Sequence, residues 1–199
     1  MKLTLRQKKA LQEVGQISGH WATLGLSRLL KRRIRIRVPY AGLLPIREVP
    51  ELLGGASSRV AAVYFLVTGT ASGSLLLLYP LRKAVRLTDL VLHRKHRSTP
   101  VLDELAQSAL KEVGNITTGA YLTALSEVVQ IRLMHSIPSL AMDMLQAALD
   151  GVLIRSSQKA DQVVALGTEF EVERERIPGH LFFVPDPEGL KRFFKLLDT

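Results

Sequence analysis

Residues 108–138 read SALKEVGNITTGAYLTALSEVVQIRLMHSIP, and residues 9–39 read KALQEVGQISGHWATLGLSRLLKRRIRIRVP. Laid over each other at an offset of 99 without a gap, the two stretches are identical at ten positions. The shared set includes the block Ala-Leu-x-Glu-Val-Gly-x-Ile, the pair Leu-Ser, and the closing Pro39 and Pro138. Self-similarity at a fixed spacing points to one structural unit used twice. In both copies apolar residues recur at helical spacing and then give way to a strand pattern. In the first copy Ile34, Ile36 and Val38 alternate with Arg33, Arg35 and Arg37, which makes one apolar and one charged face.

The chain outside this block repeats more loosely. Val60–Tyr79 and Val163–Val184 each read as an apolar strand, a Gly-containing turn and a second strand. A short amphipathic segment follows each, PLRKAVRLTDLVL in the first half and PEGLKRFFKLL in the second. Leu87–Pro100 reads as the link, with Ser98-Thr99-Pro100 as a start signal for the second long helix. The expected fold is α+β. It is a pseudo-twofold duplicated unit whose strands pool into an antiparallel sheet, with two long helices exposed on one side. The expected organisation is a single domain, 1–199, of two repeats at about 1–98 and 99–199.

Composition narrows the class. The 199 residues include no cysteine, so disulfide and thiolate chemistry are excluded and a reducing cytoplasm fits. The N-terminal MKLTLRQKKALQEVGQ lacks the apolar core of a secretory signal. The most apolar stretch, Val60–Pro80, is interrupted by Thr68, Gly69, Thr70, Ser72, Gly73 and Ser74, which argues against membrane insertion. The formal net charge is +9, and all of that excess lies in residues 1–39, where ten Lys and Arg meet one acid, Glu13. A solvated outer face accounts for such a run, and so does a docking surface for an acidic partner. Nucleic acid is not expected, because few aromatics accompany the basic run to stack on bases.

At about 100° per residue, with Ser108 at zero, Glu112 falls near 40°, Asn115 near −20° and Gly119 near 20°. Ala106, Ala109, Val113 and Ala120 cluster on another side, with Leu110 and Thr117 completing the packed surface. A hydroxyl, a carboxylate, a carboxamide and a bare backbone therefore line up in one exposed row. A carboxamide both donates and accepts, so it can orient a water molecule. A carboxylate can pair with a partner's cation and set the register of docking. No His, Cys or second carboxylate of the helix joins the row, so no general base, metal site or covalent nucleophile is indicated. His93, His96 and His135 have no partner at metal-ligand spacing and read as surface or core residues.

Ser108, Glu112, Asn115 and Pro138 match the pattern [Asp/Ser]-x3-Glu-x2-Asn-x22-Pro. With them the chain resembles the CheC-type CheY-phosphate phosphatases, the family of CheC, CheX and FliY, and the duplicated layout and length are most similar to the CheC branch. The resemblance implies hydrolysis of the aspartyl-phosphate on the chemotaxis response regulator CheY. It implies that Glu112 pairs with the regulator's active-site lysine and that Asn115 positions the attacking water. Ser108, Gly119 and Pro138 would support the motif, with Pro138 architectural. It implies no cofactor on this chain, a magnesium ion on the regulator, and a further partner in the deamidase CheD. The absence of a base fits, since in-line phosphoryl transfer depends mainly on positioning and electrostatics. A non-catalytic scaffold that binds a response regulator or the flagellar switch is the alternative.

In the first copy Lys9 stands for Ser108, Glu13 is kept, and Gln16 stands for Asn115. Gln is longer by one methylene, which displaces the amide by about 1 Å, enough to impair a positioned reaction. His20 and Trp21 replace Gly119 and Ala120 and put bulk on and beside the row. Lys9 and Glu13 are spaced to pair at i, i+4. One working site, in the second repeat, is expected.

Overall fold

The computed structural model describes residues 3–31, 33–95, 101–155, 162–172, 175–186, 192 and 195. Two 26-residue helices, α1 (Leu5–Leu30) and α4 (Glu104–Val129), begin and end 99 residues apart, so the repeat extends past the stretch in which it is visible as identity. Their ends correspond even where the residues differ. Thr4 caps α1 in a reciprocal box: its hydroxyl accepts from Gln7 N–H at 3.1 Å, and Gln7 Oε1 accepts from Thr4 N–H at 3.0 Å. Asp103 caps α4, accepting from Ala106 N–H at 2.9 Å. Both helices stop in a left-handed residue, Lys31 (φ 50°) and Gln130 (φ 53°). The expected Ser98-Thr99-Pro100 start signal lies outside the described residues. The expected link is shorter than its sequence suggests, because Leu87–Val91 forms the C-terminal part of helix α3 (Leu81–Val91).

The strands obey the same offset. β1 (Ile34–Pro45) corresponds to β4 (Leu133–His135) plus β5 (Ser139–Met144). In β1 the pairing register shifts between Arg37 and Tyr40, around Pro39. At Pro138 the second copy breaks into two strands. A proline offers no N–H to a ladder, so it marks the irregularity in both copies. The rest are β2 (Arg59–Gly69), β3 (Gly73–Pro80), β6 (Gln162–Val172) and β7 (Glu175–Pro185). The two halves' connecting segments carry helices α2 (Val49–Leu52) and α5 (Leu145–Arg155). PEGLKRFFKLL falls almost wholly outside the described residues.

The seven strands form one antiparallel sheet in the order β1-β6-β7-β3-β2-β4, with β5 also beside β2. Read in repeat units this order is palindromic about β3–β7. Each half gives its first strand to the other half: β1 pairs with β6, and β4–β5 pair with β2. The long helices share one face of the sheet, over Ala61, Val63, Phe65, Leu75, Leu77, Leu166 and Phe183. The opposite face carries α2 and α5 over Val60, Ala62, Leu76, Leu78 and Phe182. The sequence pattern did not show this second cover. Among the described residues no helix is long and apolar enough to cross a membrane.

Gly15 and Gly114 let the long helices approach the sheet. A Cβ on either would lie 3.0 Å from a valine methyl, of Val38 and Val63 respectively. Ser18 and Thr117 return their hydroxyls to the carbonyls of Gly15 and Val113, at 3.0 and 2.7 Å. These buried residues recur in both copies because they serve helix packing, as their presence in the degenerate copy suggests.

Candidate functional site

The row on α4 stands clear of the core. Ser108 and Glu112 are exposed, while Asn115 and Gly119 are half-buried rather than fully open. The packed side is where the helical angles put it: Ala106, Leu110, Val113 and Thr117 are buried. None of the described residues hydrogen-bonds the side chains of Ser108, Glu112 or Asn115, so all three polar groups are available to another molecule. Pro138 is half-buried just before β5 and away from the helix in sequence. A Cβ on Gly119 would meet only His135 Nε2, at 3.5 Å, which is ordinary contact. Helix packing therefore does not require a glycine here, in contrast with Gly114.

His135 was not assigned to the row from sequence, yet the fold brings it to the row's end. Its ring stands edge-on to Phe65, centroids 5.4 Å apart. Its Nδ1 lies 3.0 Å from the Ser136 carbonyl, so in the neutral ring Nδ1–H donates and Nε2 faces Gly119 as an acceptor. A signal was present in the repeat: His135 corresponds to Ile36, which is buried. A polar residue at an apolar repeat position marks a place where the copies diverge.

On α1 the corresponding Lys9, Glu13, Gln16 and His20 are all exposed. The Lys9–Glu13 ion pair that the i, i+4 spacing permits does not form among the described residues. An exposed pair of this spacing gains only about 0.3–0.5 kcal/mol, too little to hold two long side chains together. His20 instead packs edge-on against Trp21, centroids 5.9 Å apart. That places an aromatic pair where α4 has Gly119 and Ala120. The basic strand has the expected alternation, with Ile34 and Ile36 buried and Arg33, Arg35 and Arg37 exposed. Arg37 pairs with Glu171 at 3.3 Å. Among the described residues no group of three or more His, Asp or Glu side chains converges as a metal site would require.

Residues 105–142 match the CheC-like family model, a window that holds the α4 row, His135 and Pro138 and none of the first copy. The CheY-P phosphatase CheC of Bacillus subtilis (strain 168) is 29% identical over 195 residues, covering 96% of this chain and 93% of that protein. The crystal structure of Thermotoga maritima FliY superposes with a TM-score of 0.79 at 22% identity, covering 100% of this chain and 98% of that one. A chain of the H. pylori FliM–SpeE complex gives 0.74 at 9% identity, covering 99% and 97%. These two likenesses show a shared fold. The signature window and the near full-length similarity to CheC support placing the chain with the CheC-type family.

Proposed function

We propose that this chain accelerates hydrolysis of the aspartyl-phosphate on a CheY-like response regulator, in the cytoplasm, through the α4 row. The observation that carries this reading is the free row itself. Glu112 and Asn115 lie one turn apart with no partner of their own among the described residues, whereas His20 and Trp21 stand as a ring pair on and beside the α1 equivalent. Glu112 would pair with the regulator's active-site lysine and fix the docking register. Asn115, half-buried and so less free to wander, would hold a water in line with the phosphorus. The water oxygen bonds to phosphorus as the bond to the aspartyl oxygen breaks. The regulator recovers a carboxylate, and inorganic phosphate takes up the water's remaining proton or releases it to solvent. Magnesium on the regulator would neutralise the developing charge. The two repeats would act as one unit spanning 1–199, and the arginines of β1 would serve an acidic partner, a CheD-type deamidase among the candidates.

The test is the decay of the phosphorylated regulator with wild type, Asn115→Ala and Gln16→Ala. Wild type speeds decay. Asn115→Ala loses about 100-fold or more, as removal of a positioning group does. Gln16→Ala stays within about twofold, because the first copy does not hold a reactive water. Acceleration that survives Asn115→Ala refutes the site. No acceleration by wild type favours a scaffold that binds the regulator or the flagellar switch, a reading supported by the likeness to FliM.

A further inference from the structure

The two repeats differ where each long helix meets its edge strand. In the first copy the helix closes the edge of β1. Ser27 Oγ donates to Ile34 C=O at 3.1 Å and lies 3.2 Å from Ile34 N–H, and Thr23 Oγ1 accepts from Ile36 N–H at 2.9 Å. At the corresponding positions of the second copy stand Ser126, Leu122, Leu133 and His135. Arg132 C=O accepts from Thr70 N–H at 3.1 Å, and Ser136 N–H donates to Leu66 C=O at 2.9 Å. Antiparallel alternation therefore turns the backbone of Leu133 and His135 away from β2, towards α4. No described side chain meets it: Leu122 has no hydroxyl, and the Ser126 hydroxyl bonds nothing.

A groove of about 660 Å³ opens there, between α4 and β4, with Gly119, Leu122, Ser126, Leu133 and His135 along its length. Its rim carries Met134, 69% exposed, where the first copy carries Arg35. Natural edge strands are commonly protected by charge or by cover. β1 has its charges and the Ser27 and Thr23 hydroxyl caps beside a smaller groove of about 460 Å³, whereas β4 has no such hydroxyl cap, and Glu127 and Gln130 stand along its groove.

We propose that this groove takes one extended segment of the phosphorylated regulator as an added strand on β4. This inference rests on the function proposed above. An extended backbone fits because the open groups are main-chain donors and acceptors on a sheet edge, with a helix as the opposite wall. The Leu133 and His135 N–H groups donate to its carbonyls, and an apolar side chain of the segment covers Met134. The regulator is the source because the groove continues the α4 row. Leu122 and Ser126 fall near −40° and 0° on the same helical line, and Gly119 belongs to both. Asn115 and Ser126 are about 17 Å apart along the axis, within the span of a regulator-sized domain whose diameter is about 30 Å.

The test gives the second copy the residues of the first: Met134→Arg alone, and Leu122→Thr with Met134→Arg. Dephosphorylation kinetics are measured together with the affinity for the beryllofluoride-activated regulator. The expected result is KM and Kd raised about fivefold or more by Met134→Arg, with the effect on KM rather than kcat. Unchanged KM and Kd in Met134→Arg overturn the proposal, even if the double variant fails to fold. So does a wild-type dimer that Met134→Arg dissociates without loss of regulator affinity, since the edge then serves a second copy. A wild type that binds the regulator through Met134 but does not speed decay upholds the groove and refutes the phosphatase.

Discussion

Replacing Gly119 by alanine should make the protein more stable and less active. Within a helix, Gly→Ala is favourable by about 1 kcal/mol, because the unfolded glycine has more freedom to lose. At position 119 nothing opposes that gain: the added Cβ meets His135 Nε2 at 3.5 Å and no other atom within 4 Å. For a chain of this size the melting temperature should rise by about 2–4 °C. The internal control is Gly114→Ala, five residues earlier on the packed side of the same helix. There the Cβ would lie 3.0 Å from Val63 Cγ1 and 3.5 Å from both Phe65 Cζ and Val63 Cβ. Overpacking of that kind costs about 1–3 kcal/mol and cancels or exceeds the gain in propensity. The same chemical change should thus raise Tm at 119 and leave it unchanged or lower it at 114. Activity should fall at 119 for a different reason. A methyl group on the row, one turn from Asn115, holds a docked regulator off by about 1 Å, and misplacement on that scale costs about 100-fold in rate. Thermal melting and regulator dephosphorylation together decide. A lower Tm for Gly119→Ala refutes the open geometry. A higher Tm with an unchanged rate refutes the idea that a partner covers this part of α4.

Three further outcomes are expected. Burial holds the His180 imidazole below its ordinary pKa of 6.5. The unfolded chain therefore binds a proton that the folded one resists, and this contribution to stability is lost as pH falls below about 6.5 towards the folded value. His180→Asn should lose less stability than wild type between pH 7 and 5 in denaturant titrations, and equal losses would refute the assignment. The Tyr121 hydroxyl is buried without a partner among the described residues. Tyr121→Phe should therefore be neutral or stabilising by urea denaturation, and a loss above about 1 kcal/mol would show that the hydroxyl is satisfied. Replacing Arg33, Arg35 and Arg37 with alanine should weaken an acidic partner and flatten the salt dependence of its binding, while regulator dephosphorylation persists. Unchanged affinity and salt response would dispose of that role for β1.

Local order carries some features of this protein and leaves others to the fold. The α4 row was legible because a helix has a fixed angle per residue, so the positions of Ser108, Glu112 and Asn115 determine which face they share. The first copy's departure from the motif was legible for the same reason, since Lys9, Gln16 and His20 stand at matched positions. The repeat also indicated which of the odd residues serve packing: Gly15 and Gly114 lie against valine methyl groups in both copies. The Lys9–Glu13 pair that the spacing permits is absent, because spacing allows an ion pair without making it favourable in water. What local order could not contain is pairing between distant segments. The exchange of first strands between halves, the cover of α2 and α5, the approach of His135 to Gly119 and the open edge of β4 all arise there. The exchange of Thr23 for Leu122 reads as a trivial substitution until β1 and β4 lie beside their helices. Hydrogen bonding then makes one edge closed and the other open, because a backbone donor needs its acceptor within about 3 Å and only the folded chain sets that distance.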